Sequence, residues 1–201
     1  MKNAIGGKED SLQRLIYLDH AAASPVLPSI LTAHAELCRT HFCNPHASTS
    51  LSLTSRRTLA AAGKRLLALL GIDAETADVV WTSGGTESLN LAVGGCVRAN
   101  TGCRQCLVDS TGHAALIEPC RHVTAAAGGP RLIMMSADAS GHVKPGRMTA
   151  KDVGKKTLAA VGHVNNETGV VQDLPGLRRR LDALYPETVL VVDGVQSLGK
   201  L

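Results

Sequence analysis

Ser83-Gly84-Gly85-Thr86 joins a β-branched apolar run, Val79-Val80-Trp81-Thr82, to a stretch in which Leu89, Val93, Cys96 and Val97 recur at helical spacing. A strand that passes through glycines and hydroxyls into a helix makes an anion cradle. Free backbone N–H groups meet there at the positive end of the helix dipole. Glycine lets the backbone come close, hydroxyls add directional donors, and Thr86 or Ser83 is the expected N-cap. Phosphate is the expected guest. No Gly-Lys-Ser/Thr follows, so this is not a P-loop, and the dinucleotide pattern Gly-x-Gly-x-x-Gly is absent from the stretch. Standing alone, the same residues also read as a plain glycine turn.

Three more polar clusters each follow a run expected to be a strand: Asp109-Ser110-Thr111-Gly112-His113, Asn165-Asn166-Glu167-Thr168-Gly169 and Asp193-Gly194-Val195-Gln196. Ligands of open α/β sheets sit beyond the carboxyl ends of the strands, so all four clusters are expected on one rim. An imidazole, a carboxylate, amides and an anion cradle suit a planar, phosphorylated, nitrogen-containing ligand. Pyridoxal phosphate has these parts: a phosphate, a ring to stack on, a pyridine nitrogen that wants a carboxylate and a phenolic oxygen that wants an amide.

The elements that must position these groups alternate regularly. Residues 1–14 read as a loose polar leader. Leu27, Ile30, Leu31, Ala35 and Cys38 follow helical spacing after Pro25 and Pro28. Asn44-Pro45 and a polar loop through Ser52 precede a helix from Thr54 to Leu70, which Gly71 stops. Strand 79–82, helix 86–99, strand 105–109 and helix 114–126 come next, with Pro119 expected to bend that helix or mark a later start. Strand 131–135, a hairpin-like excursion over 137–146, strand 158–164, helix 174–185 and strand 189–192 complete the order. Such alternation predicts an α/β fold with a mostly parallel sheet and helices on both faces.

Composition excludes other classes. Aromatic residues make up 2% of the 201, too few for stacking on nucleic acid, and the net charge of +4 is modest. Arg178-Arg179-Arg180 lies among Leu174, Leu177, Leu181 and Leu184, the solvated face of an amphipathic helix rather than a nucleic-acid patch. No stretch is apolar enough to span a bilayer, and the first residues resemble neither a signal nor a transit peptide. The six cysteines are scattered and read as reduced thiols of a cytosolic protein. Cys103-x-x-Cys106 has no second pair at ligand spacing, so no metal site is expected.

The residues also resemble a known family. Tyr17-Leu18-Asp19-His20-Ala21-Ala22, Asn44-Pro45, Thr82 to Ala92, Asn165 to Gly169 and Asp193 to Lys200 look like the cysteine desulfurases and selenocysteine lyases of the class V aminotransferases. These have the type I pyridoxal-phosphate fold. The likeness runs from about Ile16 to Leu201, in the family's order. It implies that Gly85 and Thr86 hold the cofactor phosphate, and that His113 stacks on the pyridine ring and assists proton transfer. Asn166 would lie near the substrate and the ring oxygen. Asp193 would pair with the pyridine nitrogen and Gln196 with the phenolic oxygen. Read without the family, His113 is a surface imidazole, Asn166 a turn residue, Asp193 a helix cap and Gln196 a solvated amide. The implied reaction takes sulfur from L-cysteine, leaves L-alanine, and passes the sulfur to a cysteine as a persulfide. A homodimer and a sulfur-acceptor protein are implied as partners.

Departures matter as much. The family's Schiff-base lysine lies some two dozen residues past the position of Asp193, and Lys200 is too near to be it. The persulfide cysteine, the substrate-carboxylate arginine, the last strands of the large domain and the small C-terminal domain also belong beyond Leu201. Residues 15–201 are therefore expected to be the amino-terminal part of the cofactor-binding large domain, inactive alone, with an open sheet edge where the last strands would pack. His20 stands where the family often has Asn, Val191 replaces a frequent His, and the loop after Asn44-Pro45 lacks the usual Ser-Ser-x-His form. Selenocysteine lyase, a non-catalytic truncated partner of a longer enzyme, and another class V aminotransferase remain alternatives.

Overall fold

The computed structural model describes residues 16–99, 102–145 and 156–201, and the expected leader 1–14 lies outside them. Two compact units divide the chain between Trp81 and Thr82.

In the first unit, α1 (Pro28–Thr40) starts with proline at its first position, where a missing N–H costs nothing. None of its residues is buried. Helix α2 (Ser50–Leu69) begins four residues earlier than its apolar periodicity suggested. Thr49 is the reason: its hydroxyl accepts from the Ser52 N–H at 3.1 Å, so the serines read as a loop form the first turn. Arg56 donates to the Pro45 carbonyl at 2.8 Å and ties the Asn44-Pro45 bend to this helix. Gly71, at φ +67°, ends it in the left-handed conformation that glycine adopts freely.

Residues 79–82 are not a strand, which corrects the sequence expectation. A strand is a partnership, and no described residue pairs with this run; Val80 and Trp81 stand 67% and 54% exposed. The run's β-branched character is real, but it is not hydrogen-bonded into a ladder.

The second unit holds α3 (Gly85–Ala99), β1 (Gln105–Asp109), α4 (Ala114–Ala125), β2 (Arg131–Met135), β3 (Thr157–Gly162), α5 (Leu174–Leu184) and β4 (Thr188–Asp193). The strands form one parallel sheet in the order β2-β1-β3-β4. Alternate residues face opposite ways along a strand, and the core divides accordingly. Cys106, Val108, Leu158 and Ala160 face α3 and α4, meeting Leu89, Val93, Leu116 and Cys120. Leu107, Ala159 and Val161 face α5, meeting Leu177, Leu181 and Tyr185. Helices thus cover both faces, as expected of strands that are apolar on both sides. Pro119 does not interrupt α4; it is buried inside the helix. Ala137 and Val143 form an antiparallel bridge, so the excursion after β2 is hairpin-like.

The chain leaves β1 through α4 to β2 on one side and returns to β3 on the other. Strand order reverses at that point, between the carboxyl ends of β1 and β3. In doubly wound sheets that reversal opens the crevice in which ligands bind.

Candidate functional site

Three of the four polar clusters leave parallel strands at the same edge: the turn after β1 with His113, the turn after β3 with Asn166, and the turn after β4 with Gln196. The fourth, Ser83-Gly84-Gly85-Thr86, follows an unpaired segment and opens α3. Neither Ser83 nor Thr86 caps it in the expected way. Thr86 already lies inside the helix, and Ser83 turns toward Glu87. The Glu87 carboxylate accepts from the Ser83 N–H at 2.6 Å and its hydroxyl at 2.5 Å, which holds that carboxyl below its usual range. The N–H groups of Gly85 and Thr86, first in the helix, have no carbonyl one turn back.

His113 is the N-cap of α4, its Nδ1 accepting from the Ala115 N–H at 3.1 Å. That bond sets the ring's orientation and leaves the proton on Nε2. A cavity of about 570 Å³ lies between α3 and α4, lined by Thr86, Asn90, His113, Glu118 and His122 among others. It brings Thr86 and His113 together. Asn166, Asp193 and Gln196 do not line it.

Those three stand on the neighbouring strand ends. Asp193 closes β4, accepts from the Val195 N–H through Oδ1 at 3.0 Å, and gives its carbonyl to the His163 N–H at 2.9 Å. Its carboxylate therefore caps the turn after β4, the plain role that its position also suggested. Since β1 and β4 flank β3, the strands that lead into the His113 and Asp193 turns lie two strand spacings apart, about 10 Å. Lys200 donates to Gln196 Oε1 at 3.0 Å, so this lysine is engaged at the edge of the site. Asn166 is half-buried in the turn after β3.

The sequence left three residues of this region without a role: Glu87, which braces the cradle through Ser83; Asp109, a carboxylate 2% exposed at the end of β1; and Asn165. Asp109 had a signal, a charge closing an apolar strand. Asn165 had one too, an Asn three residues before a Thr-Gly, a spacing suited to side-chain-to-backbone turns. Cys103 and Cys106, weighed as half a metal site, belong to one core cluster: Cys106 is buried within β1, and Cys103 packs against that cluster with its thiol donating to the Gln105 carbonyl at 3.3 Å. Among the described residues no His, Cys, Asp or Glu cluster could hold a metal ion, and no helix is long and apolar enough to cross a membrane.

Comparison with known proteins bears on the fold and the family. The NifS/IcsS protein homolog of Lactobacillus delbrueckii is 30% identical over 187 residues, which are 92% of this chain and 47% of that one. The cysteine desulfurase of Rattus norvegicus is 28% identical across 99% of this chain and 43% of its own. Among solved structures, a NifS-like protein superposes with a TM-score of 0.80 at 21% identity over 92% of this chain and half of that one. DndA from Streptomyces lividans gives 0.69 at 27% identity, covering 92% and 51%. The chain spans about half the length of the curated relatives it matches. The aminotransferase class-V family matches residues 16–201, and the chain belongs to that family.

Proposed function

We propose that this chain is the amino-terminal part of a pyridoxal-phosphate-dependent cysteine desulfurase, and that it forms the wall receiving the cofactor's phosphate, ring face and pyridine nitrogen. The observation that carries this reading is that the His113, Asn166 and Asp193 turns leave three adjacent parallel strands at one end of the sheet, the first two flanking the reversal of strand order and the third lying beside the start of α3. When bound, the cofactor supplies an electron sink for bonds broken at the substrate carbon. The chain's own residues bind and orient. Gly85 and Thr86 donate backbone N–H groups to the phosphate at the positive helix end, and Thr86 adds its hydroxyl. His113, held through Nδ1, lays its ring against the pyridine and keeps Nε2 for proton movement. Asp193 keeps the pyridine nitrogen protonated. Asn166 and Gln196 donate amide hydrogens to the phenolic oxygen.

L-cysteine is the favoured substrate, since the relatives that match bear the name cysteine desulfurase; selenocysteine is the alternative. The products are L-alanine and a cysteine-bound persulfide, in a cytosolic homodimer that hands sulfur to an acceptor protein. No lysine of these 201 residues is assigned to the cofactor aldehyde. The test is titration of the chain with pyridoxal phosphate, followed by absorbance, then borohydride treatment and an alanine assay. Saturable binding that borohydride does not make permanent, without cysteine-dependent alanine, is the expected result. Absence of saturable binding would overturn the cofactor site, and alanine above background would overturn the assignment of catalysis to residues beyond Leu201.

A further inference from the structure

We propose that Asp109 and Asn165 form one polar clasp where the strand order reverses, a positioning device that holds the His113 and Asn166 turns in a single geometry. Its bearing on the cofactor rests on the function proposed above.

Asp109 ends β1 with its carboxylate 2% exposed, and a buried charge is costly unless it is hydrogen-bonded. Its Oδ1 accepts from the Thr111 N–H at 2.8 Å and the Thr111 hydroxyl at 2.7 Å, and its Oδ2 from the Gly162 N–H of β3 at 3.4 Å. From the other side, Asn165 donates Nδ2–H to the Thr111 carbonyl at 2.8 Å. Asn165 Oδ1 meanwhile accepts from the Glu167 N–H at 2.9 Å, the Thr168 N–H at 2.8 Å and the Thr168 hydroxyl at 3.1 Å. Thr111 is therefore gripped at its N–H, its hydroxyl and its carbonyl. His113 lies two residues beyond it, and Asn166 lies inside the turn that Asn165 closes.

The residue types are the ones this job requires. Asn165 must donate and accept at once, which an amide does and a carboxylate cannot. Asp109 must accept three bonds and donate none. Loops that leave separate strands drift independently unless a brace crosses between them, and a binding constellation tolerates only small errors of placement.

Exchange of backbone amides in the full chain, with no cofactor present, reads the clasp directly. In Asp109→Asn, exchange at Glu167 and Thr168, which Asp109 does not touch, is expected to rise about fivefold; in Asn165→Asp, exchange at Gly162, whose N–H is held by Asp109 and not by Asn165, rises similarly. Changes confined to the residues each side chain contacts would overturn the proposal. If Asp109→Asn does not fold, Thr111→Val removes only the hydroxyl donated to Asp109 and is expected to give a smaller effect at the same distant amides. Titration with pyridoxal phosphate gives the second readout. Asn165→Asp is expected to raise the Kd about tenfold with little loss of thermal stability. Unchanged affinity in this variant, beside a weakened His113→Ala, would sink the positioning role and leave the cofactor site standing. Failure of the parent chain to bind would sink the cofactor site, and amide exchange would still decide the clasp.

Discussion

Gly85 and Val195 meet across the entrance of α3: a Cβ placed on Gly85 would lie 3.0 Å from Val195 Cγ2, whereas one placed on Gly84 would meet nothing within 4 Å. Two adjacent glycines that look equivalent in the sequence are thus different in kind. Gly85 lets the turn after β4 close against the helix start, and so joins the first turn of α3 to the turn of Asp193.

Gly85→Ala should accordingly separate stability from binding. Val195 is 60% exposed and can turn aside, and alanine favours the helix, so the net stability change is expected within about 1 kcal/mol. The displaced Val195 would disturb the wall shared with Asp193, so affinity for pyridoxal phosphate should fall. Gly84→Ala should leave affinity unchanged, and Gly85→Ala combined with Val195→Ala should restore it. Urea unfolding and cofactor titration of the four proteins check this; equal losses in Gly84→Ala and Gly85→Ala would contradict it.

Glu87 gives the cradle a pH dependence. The Ser83 hydroxyl and N–H hold its carboxyl below the ordinary value in the folded state. A depressed carboxyl contributes stability above its unfolded pKa, and that contribution is lost as pH falls through the folded pKa. The stability gap between the parent and Glu87→Gln should therefore be present near neutral pH and shrink below the usual glutamate range. Urea midpoints at neutral and acid pH measure it, and a gap that widens toward acid would reverse the assignment.

Thiol labelling tests the core. Cys38 is exposed, whereas Cys106 and Cys120 are fully buried within the α3–α4 face of the sheet. A hydrogen bond with Cys120, together with burial, pushes the Cys106 thiol up, well above its ordinary range. Since the thiolate is the reactive form, an alkylating agent at mildly alkaline pH should modify Cys38 first and Cys106 only on unfolding. Mass mapping of the labelled peptides reads the order, and early modification of Cys106 would mean that this face opens readily.

Much of this was legible in the residues, for physical reasons that also mark where legibility stopped. Strands 105–109 and 131–135 matched to the residue because both are apolar runs bounded by turn formers, although the first is buried along its whole length and the second, at the sheet edge, buries only Met135. The run 79–82 carries the same composition, yet a ladder needs a partner, and composition says nothing about partners. Helix α2 began early because a cap decides a boundary and apolar spacing does not. The rim of the sheet was readable from three of the four polar clusters, the fourth following the unpaired run 79–82 instead of a strand. The clasp between them was not, because Asn165 and Thr111 lie 54 residues apart and only the strand order makes them neighbours.

Core substitutions on the two faces should act on the site unequally. Val93 of α3 and Leu181 of α5 are both fully buried, on opposite sides of the sheet. Truncation to alanine is expected to cost about 2 kcal/mol at Val93 and about 3 kcal/mol at Leu181. With no shared neighbours, the two losses should add. Their effects on binding should differ, because Val93 anchors the helix whose first residues, Gly85 and Thr86, form the cradle, whereas α5 contributes none of the six candidate residues. Val93→Ala should weaken pyridoxal phosphate binding, and Leu181→Ala, although less stable, should bind it as the parent does. The reverse pattern would mean that the sheet edge alone sets the site and that the seating of α3 does not matter.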